Sequence, residues 1–209
     1  MTIISHRHRC VFIAVPKNAS HAIRFALRPF LDPADEEQVG LFVQKRIERP
    51  IFTDMRHGHQ TALEVRTALG PTLWSNYRSF AVVRNPWARF VSYVAFMKRA
   101  GEWPRDPVAA LWRTLRHPEN QSAVHFRPQS DYLVDADRQL LVTQICRVEH
   151  LQADFDAVAA AIGLPPITLD LHNRSDHGHY VQYYDNAMVA AVAERYQEDI
   201  ERFGYRFGD

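Results

Sequence analysis

Residues 10–20 have the sequence Cys10-Val11-Phe12-Ile13-Ala14-Val15-Pro16-Lys17-Asn18-Ala19-Ser20. The first six residues are apolar, rich in β-branched and aromatic side chains, and end at a proline. Such a run is typical of a strand that is buried on both faces in a parallel sheet. Residues 19–30 then place apolar side chains at helical spacing, up to a turn at Asp32-Pro33. The stretch therefore predicts a strand, a loop and a helix in succession.

The same order recurs in residues 77–97. Phe80-Ala81-Val82-Val83 predicts a second buried strand, and Asn85-Pro86 supplies a helix N-cap followed by proline at the first helical position. Further strands are predicted at residues 51–53 and 144–148, helices at 61–69, 151–162 and 185–204, and a surface helix or loop at 35–49. Since strands alternate with helices, we expect an α/β fold of three layers, with a central, mainly parallel sheet and helices on both faces.

Composition and charge narrow the class of protein. The chain has 209 residues, of which 46% are hydrophobic and 23% charged, and its formal net charge is +1. These values predict one domain over residues 1–209 and exclude a strongly basic nucleic-acid binder. No apolar run reaches the ~18–20 residues that span a bilayer, and the charged first ten residues do not form a signal peptide. With only two cysteines and no disulfide framework, we expect a cytoplasmic protein.

The loop that contains Lys17 is the first candidate site. In a parallel sheet, ligands bind beyond the carboxyl ends of the strands, where loop N–H groups and the helix dipole favour an anion. The ammonium of Lys17 and the backbone of the next four residues are candidates for binding a phosphate: Asn18, Ala19, Ser20 and His21. The P-loop consensus is absent, because the segment has no glycine. The alternative is a surface lysine that follows a strand and binds nothing.

A second candidate anion site lies at the end of the second strand. Arg84 follows that strand, and Ser92 lies roughly 9–10 Å along the next helix, at 1.5 Å per residue. A guanidinium and a hydroxyl suit phosphate oxygens. A P-loop enzyme needs an aspartate for Mg²⁺ at a strand end, and Arg84 occupies that place. The alternatives are an Arg84 that pairs with a carboxylate and a Ser92 without a ligand.

Together these segments resemble the two cofactor signatures of the family-2 sulfotransferases, which include carbohydrate and heparan 2-O-sulfotransferases. In that family a Pro-Lys loop binds the 5′-phosphosulfate of 3′-phosphoadenylyl sulfate (PAPS), and an Arg-(Asn/Asp)-Pro-x-x-Arg-x-x-Ser segment binds its 3′-phosphate. The matches are Pro16-Lys17, and then Arg84-Asn85-Pro86, Arg89 and Ser92. Similarity extends into the C-terminal third, at residues 147–151, 154–155, 172–175, 183–184 and 199–205. The resemblance implies a P-loop-NTPase-like sulfotransferase fold, PAPS as donor and its desulfated form, 3′,5′-ADP (PAP), as product.

The first loop departs from the family at two positions. Family members often have Thr or Ser four and five positions after the lysine, where this chain has His21 and Ala22. Ser20 is the hydroxyl that remains in the loop. By the same resemblance, Arg174 and Ser175 correspond to the basic loop that closes over the nucleotide. A polar turn between strands has the same composition and is the alternative.

Residues 101–130 contain four prolines and are predicted to be irregular, as a lid or an acceptor-binding segment. Within it, His125 and Gln129 are candidates for contacting the acceptor. A solvated loop without a ligand has a similar composition, so that alternative stays open.

Sulfuryl transfer needs a base for the acceptor hydroxyl and a cation for the departing phosphate. Imidazole suits the first task, and Lys17 suits the second. Arg56-His57-Gly58-His59 resembles the His-Gly-His segment of the heparan 2-O-sulfotransferases, in which a histidine is the base. We therefore expect His59 as the base, with His57 second and His125 behind both.

A second His-Gly-His, at residues 177–179, leaves a metal site as an alternative. No cysteine pairs with either histidine pair and only Asp54 flanks the first, so we predict that the protein holds no metal.

The sequence thus predicts a PAPS-dependent sulfotransferase that acts on a hydroxyl group, on a carbohydrate or a glycolipid. No nucleic-acid partner is expected, and nothing in the sequence indicates an oligomeric state. The alternatives are a P-loop-like kinase that uses ATP and Mg²⁺ and a nucleotide-binding module without catalysis, which His21 and Ala22 would favour.

Overall fold

The computed structural model describes residues 1–37, 59–97, 105–170 and 178–209. The chain divides into two compact units. Met1–Val83 with Asp131–Asn173 form the sheet unit, and Arg84–Ser130 with Arg174–Asp209 form the helical unit. The strands are β1 (Ile3–Ser5), β2 (Cys10–Ile13), β3 (Glu36–Glu37), β4 (Arg78–Val83) and β5 (Gln144–Arg147). The helices within the described ranges are α1 (Ser20–Leu27), α2 (Ala62–Leu69), α3 (Pro71–Asn76), α4 (Pro86–Met97), α5 (Pro107–Arg116), α6 (Pro118–Gln121), α7 (Leu151–Ala161), α8 (Asn186–Arg195) and α9 (Gln197–Phe203).

The five strands within the described ranges form one mixed sheet in the order β3-β1-β2-β4-β5. β2 pairs with β4, and β4 with β5, in parallel, whereas β1 pairs antiparallel with β2 and with β3. The α/β class is confirmed, but the expectation of a mainly parallel sheet is only partly correct. The reason is local: residues 6–9 join β1 to β2 directly, and so short a connection permits only antiparallel pairing.

The core of the sheet unit explains why residues 10–15 are apolar throughout. Phe12 and Phe80 stack with their ring centroids 5.1 Å apart, in a cluster with Ile23 of α1 and Phe155 of α7. Residues that alternate with these along β2 and β4 point to the opposite face and are also buried, as Val11, Ile13, Ala81 and Val83. The central strands are thus buried on both faces, as the sequence predicted.

The helical unit buries the apolar stripe of α4. Trp87, Phe90, Val91 and Val94 pack in one cluster with residues of α5 and α8, including Leu111, Met188 and Val192. The sequence predicted this stripe correctly.

The segment around residues 101–130 is more regular than expected. Over residues 105–130 it contains α5 and α6, and both begin at a proline. Proline is tolerated at the first helical position, because the N–H that it lacks would have no partner within the helix. The side chain of Asp106 caps α5 by accepting from the N–H of Ala109 (2.9 Å). Pro107 and Pro118 therefore start helices here.

Three further predictions need correction or lie outside the described residues. The single helix expected over residues 185–204 is broken at Tyr196 into α8 and α9, although Asp185 and Gly204 bound the pair as predicted. The strand expected at residues 51–53, and most of the segment 35–49, lie outside the described residues. Among the helices described, none is long and apolar enough to cross a membrane.

Candidate functional site

The loop after β2 holds Lys17 in an unusual backbone conformation. Lys17 has φ = 69° and Ala19 has φ = 55°, so both lie in the left-handed region although neither is glycine. That conformation costs a non-glycine residue about 1–2 kcal/mol, and such residues cluster at ligand sites. The strain has to be balanced by contacts that hold the loop in place.

Asn18 and Ser20 provide those contacts. The Asn18 side chain is fully buried, and its Nδ2 donates to the carbonyl of Val82 on β4 at 2.9 Å. The Ser20 hydroxyl donates to the carbonyl of Val15 at 2.9 Å. In this arrangement the proton of Ser20 stabilises the loop itself, so binding an anion through that hydroxyl requires the hydroxyl to rotate.

The Lys17 loop lies at the carboxyl edge of the parallel strands. β2 and β4 run in the same direction with Ile13 opposite Ala81, so both end at this edge. The strands that precede Lys17 and Arg84 therefore end at the same edge of the sheet. α1 begins directly after the loop, and no side chain caps its N-terminus. A lysine and a helix N-terminus together favour an anion at this position.

His59 belongs to the same edge of the sheet unit. Its side chain is buried, at 4% exposure, and Nδ1 lies 2.7 Å from the carbonyl oxygen of Ala14, the residue after β2. Since a carbonyl only accepts, Nδ1 carries the proton and the lone pair of the neutral ring is on Nε2. In this tautomer Nε2 is the ring nitrogen that can accept a proton.

Arg84 is the first residue of the helical unit, and its backbone is held on both sides by Gln129. The N–H of Arg84 donates to Oε1 of Gln129 at 2.9 Å, and Nε2 of Gln129 donates to the carbonyl of Arg84 at 2.8 Å. Gln129 is fully buried, whereas Arg84 is half-buried. The peptide groups of Arg84 are therefore fixed, and its side chain retains partial access to solvent.

Asn85 fixes the start of α4. Its Oδ1 accepts from the N–H groups of Trp87 (3.1 Å) and Ala88 (3.4 Å), which confirms the predicted N-cap. Its Nδ2 donates to the carbonyl of Arg206 at 2.8 Å, near the C-terminus. Ser92 lies in the second turn of α4 and is buried, at 4% exposure.

A buried carboxylate supports the segment that holds Gln129. Asp199 is fully buried and accepts from the N–H groups of Gln129 (2.8 Å) and Ser130 (2.7 Å). Burial raises the pKa of the Asp199 carboxyl, while the Arg89 guanidinium and these N–H donors act in the opposite direction. The sequence reasoning missed the role of Asp199. The available signal was an acidic residue on the buried face of a helix, four positions before Phe203.

The predicted acceptor residues occupy different environments. The His125 ring stacks on those of Phe96 (5.6 Å between centroids) and Tyr93 (6.4 Å), and the His125 carbonyl accepts from Arg89. Gln129 uses its amide on Arg84, as described above. An acceptor contact stays a prediction for both residues.

Several predicted site residues lie outside the described residues, namely His57, Arg174 and Ser175. His21 is described and is exposed on α1, with its ring 6.1 Å from that of Phe25. Across the described ranges, no group of three or more His, Cys, Asp and Glu side chains is arranged to hold a metal ion. Burial raises the pKa of the Cys10 and Cys146 thiols to about 12, so neither is a nucleophile at neutral pH.

The structure is thus that of an α/β protein with a lysine loop beyond the ends of parallel strands and an arginine directly after the neighbouring strand. The model of the sulfotransferase family matches residues 1–206, so the chain belongs to that family. A search of curated proteins and a search of solved structures each gave no match.

Proposed function

We propose that this protein transfers a sulfuryl group from PAPS to a hydroxyl group of a carbohydrate or glycolipid acceptor. Family membership supports sulfuryl transfer in general. The donor, the acceptor class and the site residues are proposals, as is a cytoplasmic location. The observation on which they rest is Lys17, held in a strained conformation at the carboxyl edge of the sheet by the buried Asn18.

Lys17 and His59 divide the chemistry between them. The acceptor oxygen forms a bond to sulfur as the bond between sulfur and the 5′-phosphate oxygen breaks, so negative charge develops on the departing phosphate. The ammonium of Lys17 stabilises that charge, and N–H groups of residues 18–21 add to it. Nε2 of His59 takes the proton of the attacking hydroxyl, because Nδ1–H is engaged by Ala14. His57 is the second choice for this role.

We assign the binding of the 3′-phosphate to Arg84 and Ser92, because these residues occupy the matching positions of the family's second signature. A half-buried guanidinium retains its charge at all physiological pH values and donates in a planar fork that suits phosphate oxygens. The basic loop at Arg174 and Ser175 is proposed to close over the nucleotide. No metal is proposed in the reaction.

Nucleotide preference is the first test. Calorimetry is run with 3′,5′-ADP, 5′-AMP, and ATP with and without Mg²⁺. We expect 3′,5′-ADP to bind tightest and its affinity to be independent of Mg²⁺. A preference for ATP with Mg²⁺ would instead indicate the kinase, and equal affinity for 3′,5′-ADP and 5′-AMP would reject the 3′-phosphate site.

Turnover is the second test. Radiolabelled PAPS is offered with a panel of glycans, glycolipids and simple alcohols, and Lys17→Ala is compared with the parent protein. We expect label to enter at least one acceptor, and Lys17→Ala to lower kcat about 10²–10³-fold, the usual loss for one charge-stabilising donor. Tight binding of 3′,5′-ADP without transfer to any acceptor would indicate a nucleotide-binding module instead.

A further inference from the structure

Gln129 makes a pair of hydrogen bonds that is uncommon for a glutamine side chain. Its amide donates to the carbonyl of Arg84 and accepts from the N–H of the same residue, at 2.8 and 2.9 Å. A neighbouring strand would bond a backbone residue in the same way. Arg84 follows β4 directly, at the point where the strand ends and the chain turns into α4. The side chain of Gln129 thus replaces a strand partner where Arg84 needs one.

We propose that Gln129 is a positioning residue for the nucleotide's 3′-phosphate, acting through the backbone of Arg84, and that Asp199 holds Gln129 in place. This inference rests on the proposed function, because it presupposes that Arg84 binds that phosphate. It gives Gln129 a role in binding the donor nucleotide, in place of the acceptor contact that the sequence predicted.

The energetic argument concerns the freedom of Arg84. A guanidinium that binds a phosphate from a preorganised backbone loses less conformational freedom than one on a mobile loop. Because Gln129 already fixes both backbone torsions of Arg84, their freedom is not lost again when the phosphate binds. The burial of Gln129 also shields the two hydrogen bonds from water. Retaining a fully buried carboxylate such as Asp199 is unfavourable unless it is compensated. Here two N–H donors and the nearby charge of Arg89 offset part of that cost.

A purely structural role for Gln129 makes a different prediction. If these bonds only stabilised the fold, removing them would weaken the binding of every nucleotide to a similar extent. Positioning of Arg84 affects only ligands that carry the 3′-phosphate. The ratio of affinities for 3′,5′-ADP and 5′-AMP therefore separates the two roles.

The experiment measures that ratio by calorimetry in the whole protein and in Gln129→Met, which keeps the side-chain volume and removes both bonds. We expect the preference for 3′,5′-ADP to fall about 10-fold, as for one lost charge-assisted contact, while 5′-AMP affinity stays constant. Tyr196→Phe is the matched control. It removes another buried hydrogen bond of the helical unit, from the Tyr196 hydroxyl to the carbonyl of Phe126 (3.0 Å). This bond does not involve Arg84, so the ratio should not change.

A double-mutant cycle adds a second criterion. In an Arg84→Ala background, Gln129→Met should have no further effect on the ratio, since the residue on which it acts is gone. Asp199→Asn gives a second route if Gln129→Met does not fold, and should lower the ratio in the same direction. An unchanged ratio in Gln129→Met or in a folded Asp199→Asn overturns the inference. A parent protein without any preference for 3′,5′-ADP overturns the proposed function instead.

Discussion

Replacing Lys17 by glycine should lower activity as much as replacing it by alanine does, and yet give the more stable fold of the two. Lys17 has φ = 69°, a conformation that costs a side-chain-bearing residue about 1–2 kcal/mol and glycine almost nothing. Glycine also gives the unfolded chain more conformational entropy, which lowers the free energy of unfolding by about 0.5–1 kcal/mol. From the midpoints of these two ranges, the unfolding free energy of Lys17→Gly should be about 0.75 kcal/mol higher than that of Lys17→Ala, which retains the strain.

The comparison uses two variants that lack the same ammonium group. Because both lose the charge, their kcat values for transfer from PAPS should be equally low, about 10²–10³-fold below the parent. For a chain of this length, the difference in unfolding free energy corresponds to a Tm about 1–4 °C higher for Lys17→Gly. Thermal unfolding and urea titration measure it.

Two results would refute this reasoning. If Lys17→Gly is no more stable than Lys17→Ala, the loop does not hold the left-handed conformation. If either variant keeps nearly full turnover, the assignment of Lys17 to the departing phosphate is wrong. A stabilised and inactive Lys17→Gly would show that the protein maintains this strain for the sake of ligand binding.

Three further predictions concern other parts of the molecule. His59→Asn keeps a donor for the Ala14 carbonyl but no base, so kcat should fall about 10²–10⁴-fold while 3′,5′-ADP affinity stays constant. Burial raises the thiol pKa values of Cys10 and Cys146 to about 12. The free energy of unfolding that the buried, protonated thiols contribute is therefore complete below pH 8, and it is lost as the pH rises towards 12. By pH 10 the loss should be about 1–2 kcal/mol per thiol in urea unfolding. Asp185→Ala removes the N-cap of α8, in which the Asp185 carboxylate accepts a hydrogen bond from the N–H of Met188 (2.7 Å). This change should lower Tm by about 2–4 °C without changing kcat.

Each of these predictions has a control. His179→Asn changes an exposed histidine and should leave kcat unchanged, so an equal loss in both histidine variants would contradict the role of His59. Replacing both cysteines by alanine should flatten the stability profile between pH 8 and 10, and a profile as steep as the parent's would contradict the cause. For Asp185→Ala, kcat is measured well below the Tm of the variant, where it should equal the parent's; a clear fall in kcat there would contradict a purely structural cap.

The sequence was informative wherever one local rule decided the structure. The apolar run of β2 and the caps at Asn85 and Asp185 are cases in which few residues determine the outcome. The antiparallel part of the sheet was not predictable in this way. β1 and β3 are three and two residues long, too short for a periodic pattern, and the pairing of β1 with β2 depends on the turn at residues 6–9.

The candidate site was predictable in its charges and not in its supports. Lys17 and Arg84 follow apolar strands, and that position is visible in the sequence. The bonds of Gln129 to Arg84 join residues 45 positions apart, and those of Asp199 to Gln129 join residues 70 apart. No spacing rule covers such distances, so Gln129 looked like one polar residue of a loop.

The side chain of Asn85 has a consequence for comparing members of the family. Its oxygen caps α4 and its nitrogen donates to Arg206, so both ends of one amide are engaged. A member with aspartate at this position keeps the cap but cannot donate, because a carboxylate only accepts. The main-chain carbonyl at position 206 would then need a different donor.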